Sequence, residues 1–117
     1  MSTITLLPLT DLRESFDDDK DILVSVLDMF MEEVPEDYEL LKQQVKSGNY
    51  TAAGMQAHKI KSSYRTLGIN DMASILQEIE TRAKKNEDIP LINSLLEQFS
   101  QNYDQVNEQI LYTKENL

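Results

Sequence analysis

At 117 residues the chain is long enough for one domain with its own core, and its lack of cysteine rules out disulfides, thiolate metal sites and a cysteine nucleophile. A net charge of −10 argues against nucleic-acid binding, where affinity comes largely from neutralised phosphates. No apolar run approaches the ~20 residues of a membrane span, and Met1–Leu7 lacks the positive flank and apolar core of a signal peptide.

A soluble, cytoplasmic protein with no membrane contact is therefore expected. Glycine and proline are few, with three of each, while Leu, Ile, Glu, Gln, Asp and Lys abound. That composition predicts an all-α domain.

Taken in order, residues 1–9 are expected to form an extended lead-in, because Pro8 discourages helix at Leu7. Thr10 should cap a short helix from Asp11 to about Phe16. Asp17-Asp18-Asp19 reads as a turn that supplies the next N-cap. From Lys20 to Lys46, Leu23, Val26/Leu27, Phe30, Val34, Leu41 and Val45 recur three or four apart, a helical stripe. Pro35 lies inside it and predicts a kink or a local break.

Ser47-Gly48-Asn49 ends that helix and caps the next, expected over Tyr50 to about Leu67, with Ala53, Ala57, Ile60, Tyr64 and Leu67 buried. Gly68 should stop it and Asn70 cap a fourth helix, Asp71 to about Lys85, with Met72, Ile75, Leu76, Ile79 and Ala83 inward. After an Asn86-Glu87-Asp88 turn, Pro90 opens a fifth helix carrying Ile92, Leu95/Leu96, Phe99, Tyr103, Val106 and Ile110. Strand-like alternation is confined to Ile4-Thr5-Leu6. Long helices joined by short loops predict an antiparallel four-helix bundle, its core over about 20–112 and the short first helix capping one end. The whole of 1–117 is expected to be one domain and a monomer.

His58 is the only histidine. No acidic residue lies between Glu39 and Asp71, yet that interval holds Lys42, Lys46, Lys59, Lys61 and Arg65, five of the eleven cations. At 100° per residue His58 falls off the Ala53/Ala57/Ile60/Tyr64 stripe, sharing a face with Gly54, Met55, Lys61, Ser62 and Arg65. Gly54 and Ser62, one turn either side, are small and are expected to leave the imidazole standing clear. Metal binding would need a second His or a carboxylate three or four residues away, and none is there. A hydrolytic triad would need an acid to orient the ring, and no Asp or Glu lies within a helical turn, which leaves only a carboxylate from elsewhere in the fold. Neutral imidazole is a good nucleophile toward phosphorus, and Lys61 is placed to attract and screen a phosphoryl group. On periodicity and charge alone, a solvated histidine on a lysine-rich face explains the same residues.

Ala57-His58-x-Ile60-Lys61-x-Ser63-x-x-x-Leu67-Gly68 resembles the signature of histidine-containing phosphotransfer (HPt) domains. Phe30-Met31-Glu32-Glu33-Val34-Pro35, Gly48-Asn49-Tyr50 and Leu76-Gln77-Glu78-Ile79-Glu80 resemble the flanking segments of that family. The resemblance implies a four-helix bundle in a two-component phosphorelay. His58 would accept phosphate from one receiver aspartate and pass it to another, and Lys61 would steady the phosphoryl group. It also implies response-regulator receiver domains and a hybrid histidine kinase as partners, no kinase activity of its own, and no cofactor beyond Mg²⁺ carried by the receiver. Where the family often has Gly, this chain has Ser62. The docking contact is expected around Gly54, Met55, Ser62 and Arg65, with Lys59 at the rim and Met29 and Met31 extending it from the neighbouring helix. A helical adaptor of the same fold, binding a receiver or kinase without being phosphorylated, is the alternative.

Overall fold

Apolar residues spaced three and four apart give each long segment one buried stripe, and the computed structural model, which describes residues 5–117, joins these stripes into one core. Its helices are α1 (Thr10–Ser15), α2 (Lys20–Lys46), α3 (Tyr50–Thr66), α4 (Asn70–Lys85) and α5 (Ile89–Glu115), and no strand occurs among the described residues. The links between the long helices are Ser47–Asn49, Leu67–Ile69 and Asn86–Asp88, too short for anything but antiparallel neighbours. Each of the long helices α2 to α4 packs on the next, and α5 closes the ring against α2. The start of α1 lies against the α3–α4 turn, where Pro8 and Leu9 share a hollow with Leu67 and Gly68. No described helix is long and apolar enough to cross a membrane.

Helix ends show which local signals survive packing. Asp19 caps α2 by accepting from the Asp21 and Ile22 amides, and Asn49 caps α3 by accepting from Ala52. Thr10 and Asn70, expected as caps, are instead the first residues of their helices, preceded by Leu9 and Ile69 with no side-chain cap. Leu9 and Ile69 are buried, only 2% and 8% exposed. Burying such a side chain is worth about 1.5–3 kcal/mol, against about 1 kcal/mol for a polar cap, so burial sets the entry. It does so at Leu9 despite a left-handed φ of 51°.

Pro35 causes no break, and α2 is continuous from Lys20 to Lys46. An interior proline costs about 3 kcal/mol, but Val34, Tyr38 and Leu41 anchor the adjoining turns in the core. Thr5–Leu9 runs unhelical beside α5, with the Leu7 amide donating to Thr113 Oγ1 at 2.9 Å and Gln109 Nε2 donating to the Thr5 carbonyl. Ile4 lies outside the described residues, and Thr5 and Leu6 form no strand.

The centre of the core is aromatic. Tyr64 from α3 meets Phe30 of α2 edge-on at 4.9 Å and Phe99 of α5 at 5.6 Å, and Tyr38 packs against Phe99 at 5.1 Å. This junction fixes the rotation of α3 about its axis and thereby decides where His58 points.

Candidate functional site

Ala53, Ala57, Ile60 and Tyr64 are wholly buried, so α3 has one face locked inward. One residue beyond Ala57, the His58 ring emerges at the α3–α4 seam with 57% of its side chain exposed. The complementary stripe of α4, Met72, Leu76, Ile79 and Ala83, is equally locked. One residue beyond Ile79, Glu80 turns into the same seam with its side chain only 8% exposed.

The two meet directly. His58 Nδ1 lies 3.1 Å from both carboxylate oxygens of Glu80. Lys61 Nζ donates to Glu80 Oε1 at 2.6 Å and to Gln77 Oε1 at 2.8 Å. Lys84 Nζ donates to Glu80 Oε2 at 2.7 Å. Gln77 is fastened in turn, its Nε2 donating to Thr81 Oγ1 at 3.0 Å. Burial pushes the Glu80 carboxyl up, but the hydrogen bonds from Lys61, Lys84 and His58 outweigh it and hold the group at about 2. Glu80 is therefore an anion at any ordinary pH.

An ionised carboxylate can only accept, so Nδ1 must carry the proton. In the neutral ring that leaves the lone pair on Nε2, the nitrogen directed away from Glu80. The second group thus selects the tautomer and orients the ring, the general device by which a carboxylate prepares an imidazole for chemistry. What this arrangement can do is present a nucleophilic nitrogen to an approaching molecule and neutralise a positive charge that develops on the ring.

The structure corrects the sequence reading at three places. The absence of an acid on α3 did not leave His58 unoriented, because Glu80 arrives from α4, 22 residues on. Lys61 does not project from the His58 face: its side chain is 5% exposed and its ammonium is committed to Glu80 and Gln77. Gly54 does not clear space for a visitor. It is buried, and a Cβ there would stand 2.9 Å from Lys84 Cγ, 3.3 Å from the Lys84 amide nitrogen and 3.5 Å from Ala83 Cβ. Its small size lets α4 approach α3, which is why a glycine is tolerated inside a helix despite a cost of about 1 kcal/mol.

The other expected residues separate by side. Met55 is 66% exposed, and Arg65 is exposed on the outer face of α3. Ser62 is also exposed, but its hydroxyl donates to the His58 carbonyl at 3.1 Å, folded down onto the helix. Lys59 leans toward α2 and binds Asp37 at 3.0 Å, away from the seam. Met29 is exposed and lines a groove between α2 and α3 with Val26, Phe30, Ser63 and Thr66, whereas Met31 is half-buried. Among the described residues no cluster of three His, Asp or Glu is arranged to hold a metal ion.

Gln77 and Glu80 fall in a segment that resembles the family, but neither they nor Lys84 were expected as site residues from the sequence. The available signal was their spacing: 77, 80 and 84 share one side of α4 adjoining its buried stripe, an unusual place for a carboxylate.

The family model described as "Hpt domain" matches residues 25–109, well over half of the chain. Neither the curated proteins nor the solved structures give a match.

Proposed function

The chain belongs to the Hpt domain family, the histidine phosphotransfer modules of two-component signalling, and from that premise we propose that His58 relays phosphate between the aspartates of receiver domains. The observation that carries this reading is the exposed imidazole whose Nδ1 is held by Glu80.

In the accepting step the Nε2 lone pair attacks the phosphorus of a receiver's aspartyl phosphate. The Nε2–P bond forms as the P–O bond to the aspartyl carboxylate breaks, and the carboxylate leaves with the bonding electrons. No proton needs to move, because Nδ1 keeps its hydrogen. The phosphorylated ring carries a positive charge, which Glu80 faces at hydrogen-bond distance. In the donating step the neutral imidazole is the leaving group, and a second receiver's aspartate takes the phosphoryl group. An open helix face suits this task, since the donor aspartate and its metal belong to the partner. Met55, Ser62 and Arg65 border the docking contact. Lys61 acts on Glu80, as the positioning residue for the carboxylate that orients the ring.

The test is incubation with phosphorylated receivers while following acid-labile, base-stable label on the chain. Label is expected on the wild-type protein and none on His58→Gln, with thermal unfolding of the variant nearly unchanged. Label retained in His58→Gln would remove His58 from the reaction, and receiver binding without any label on the wild type would favour the adaptor reading.

A further inference from the structure

Glu80 carries one negative charge and binds two ammonium groups besides the imidazole, so it has one cation more than neutrality requires. The two lysines are not equivalent. Lys61 is 5% exposed and doubly bonded, to Glu80 and to a glutamine that is itself fastened, so withdrawing it would strand buried charge. Lys84 is 51% exposed, and its bond to Glu80 Oε2 is a half-solvated pair between i and i+4 positions of α4. Such pairs exchange with water at little cost.

We propose that Lys84 is the phosphate-binding residue of this domain, its ammonium passing from Glu80 to the phosphoryl oxygens once His58 is phosphorylated. This deepens the acceptor reading of His58 and rests on it.

Three observations support the exchange. His58 Nδ1 and Lys84 Nζ sit on the same oxygen, Glu80 Oε2, at 3.1 and 2.7 Å, so ring and ammonium are already neighbours. Phosphorylation at Nε2 with Nδ1–H retained turns the ring into a cation, which replaces Lys84 as the second positive partner of Glu80. At the same moment it introduces phosphoryl oxygens that need one. A single movement of one flexible side chain therefore leaves every charge paired. Gly54 supplies the path: with no Cβ it leaves room for the Lys84 stem one turn from His58, where an alanine would press on Cγ at 2.9 Å. Lys61, three residues after the histidine and the obvious phosphate ligand by sequence, is held back by its burial and by its two bonds, to Glu80 Oε1 and Gln77 Oε1.

The experiment uses phosphoramidate, a small phosphoryl donor, on the full chain and on Lys84→Ala and Lys84→Arg, with the phosphohistidine followed by its lifetime and by a ³¹P titration of the phosphoryl group. A contacting ammonium favours the dianion. Lys84→Ala is therefore expected to raise the phosphoryl titration midpoint by about one pH unit and to shorten the phosphohistidine lifetime by about tenfold. Lys84→Arg should restore most of both. A purely structural role would move the melting temperature but not the titration midpoint. If Lys84→Ala titrates and decays as the wild type does, the proposal is overturned while the acceptor reading stands. If the wild-type chain takes no label on His58 from either phosphoramidate or phosphorylated receivers, the acceptor reading falls and this proposal falls with it.

Discussion

Phe99 and Glu80 are both buried, one where α5 meets α2 and α3, the other in the seam between α3 and α4, and they stand on opposite energetic footing. Around Phe99 the partners are Tyr38 and Tyr64, meeting edge to face, so that removing water and making contact both stabilise. Glu80 lost its water at a cost that its bonds from Lys61, Lys84 and His58 together offset. The aromatic junction holds the helices at their rotations. The charged seam uses that rigidity to hold an imidazole at one tautomer and one angle. The two seams of the bundle therefore differ in kind, one packing apolar rings and the other orienting an imidazole. The division is not perfect on the aromatic side, where the Tyr64 hydroxyl is buried with no partner and burial pushes its pKa up.

Substitutions on the two sides should separate accordingly. The largest combined effect is expected for Glu80→Ala, which strands the Lys61 ammonium. It should cost about 3–5 kcal/mol in denaturant unfolding and slow labelling of His58 by at least about tenfold. Glu80→Gln, which keeps the shape and deletes the charge, should retain more of the stability yet still label slowly. Comparable unfolding losses but normal labelling in both variants would mean that the carboxylate does not prepare the ring.

Phe99→Ala should cost about 3–5 kcal/mol through the cavity it leaves, with labelling per folded molecule unchanged at temperatures where the variant remains folded. A labelling defect there would show that the two seams are coupled.

A smaller effect comes from acid. Because Glu80 is held at about 2 when folded against 4.5 ordinarily, its contribution is fully present above pH 4.5. It is lost as pH falls toward 2, on the order of 3 kcal/mol in all. Unfolding titrations of wild type and Glu80→Gln should therefore converge in that window, and parallel curves would contradict the assignment. Lys59→Ala marks the floor for labelling: its partner is the buried Asp37 on α2, not the seam, so labelling should not change while the melting temperature falls slightly.

Much of the bundle was legible before any coordinates. The stripes of α2 to α5, the Asp19 and Asn49 caps and the single histidine all depend on spacing along one helix, which a 100° rotation per residue converts directly into a face. The misreadings share one cause. The surroundings of His58 were taken from α3 alone, so Gly54 looked like a gap and Lys61 like an exposed cation. Glu80 and Lys84 reach His58 only because α4 lies alongside at a particular rotation. Pro35 was expected to kink or break α2, and no break occurs, because the local cost is plain in the sequence and the core contacts that offset it are not.

By itself, then, the sequence determined the elements, their order, their inward faces and the single histidine beside the buried stripe of α3, since each of these follows from composition and periodicity. Tertiary structure alone decided that His58 has a carboxylate behind it, that Lys61 serves that carboxylate from a buried position and that Lys84 is the more exposed of its two lysines. Those outcomes depend on how two helices are rotated against each other, and that rotation is set by the whole core.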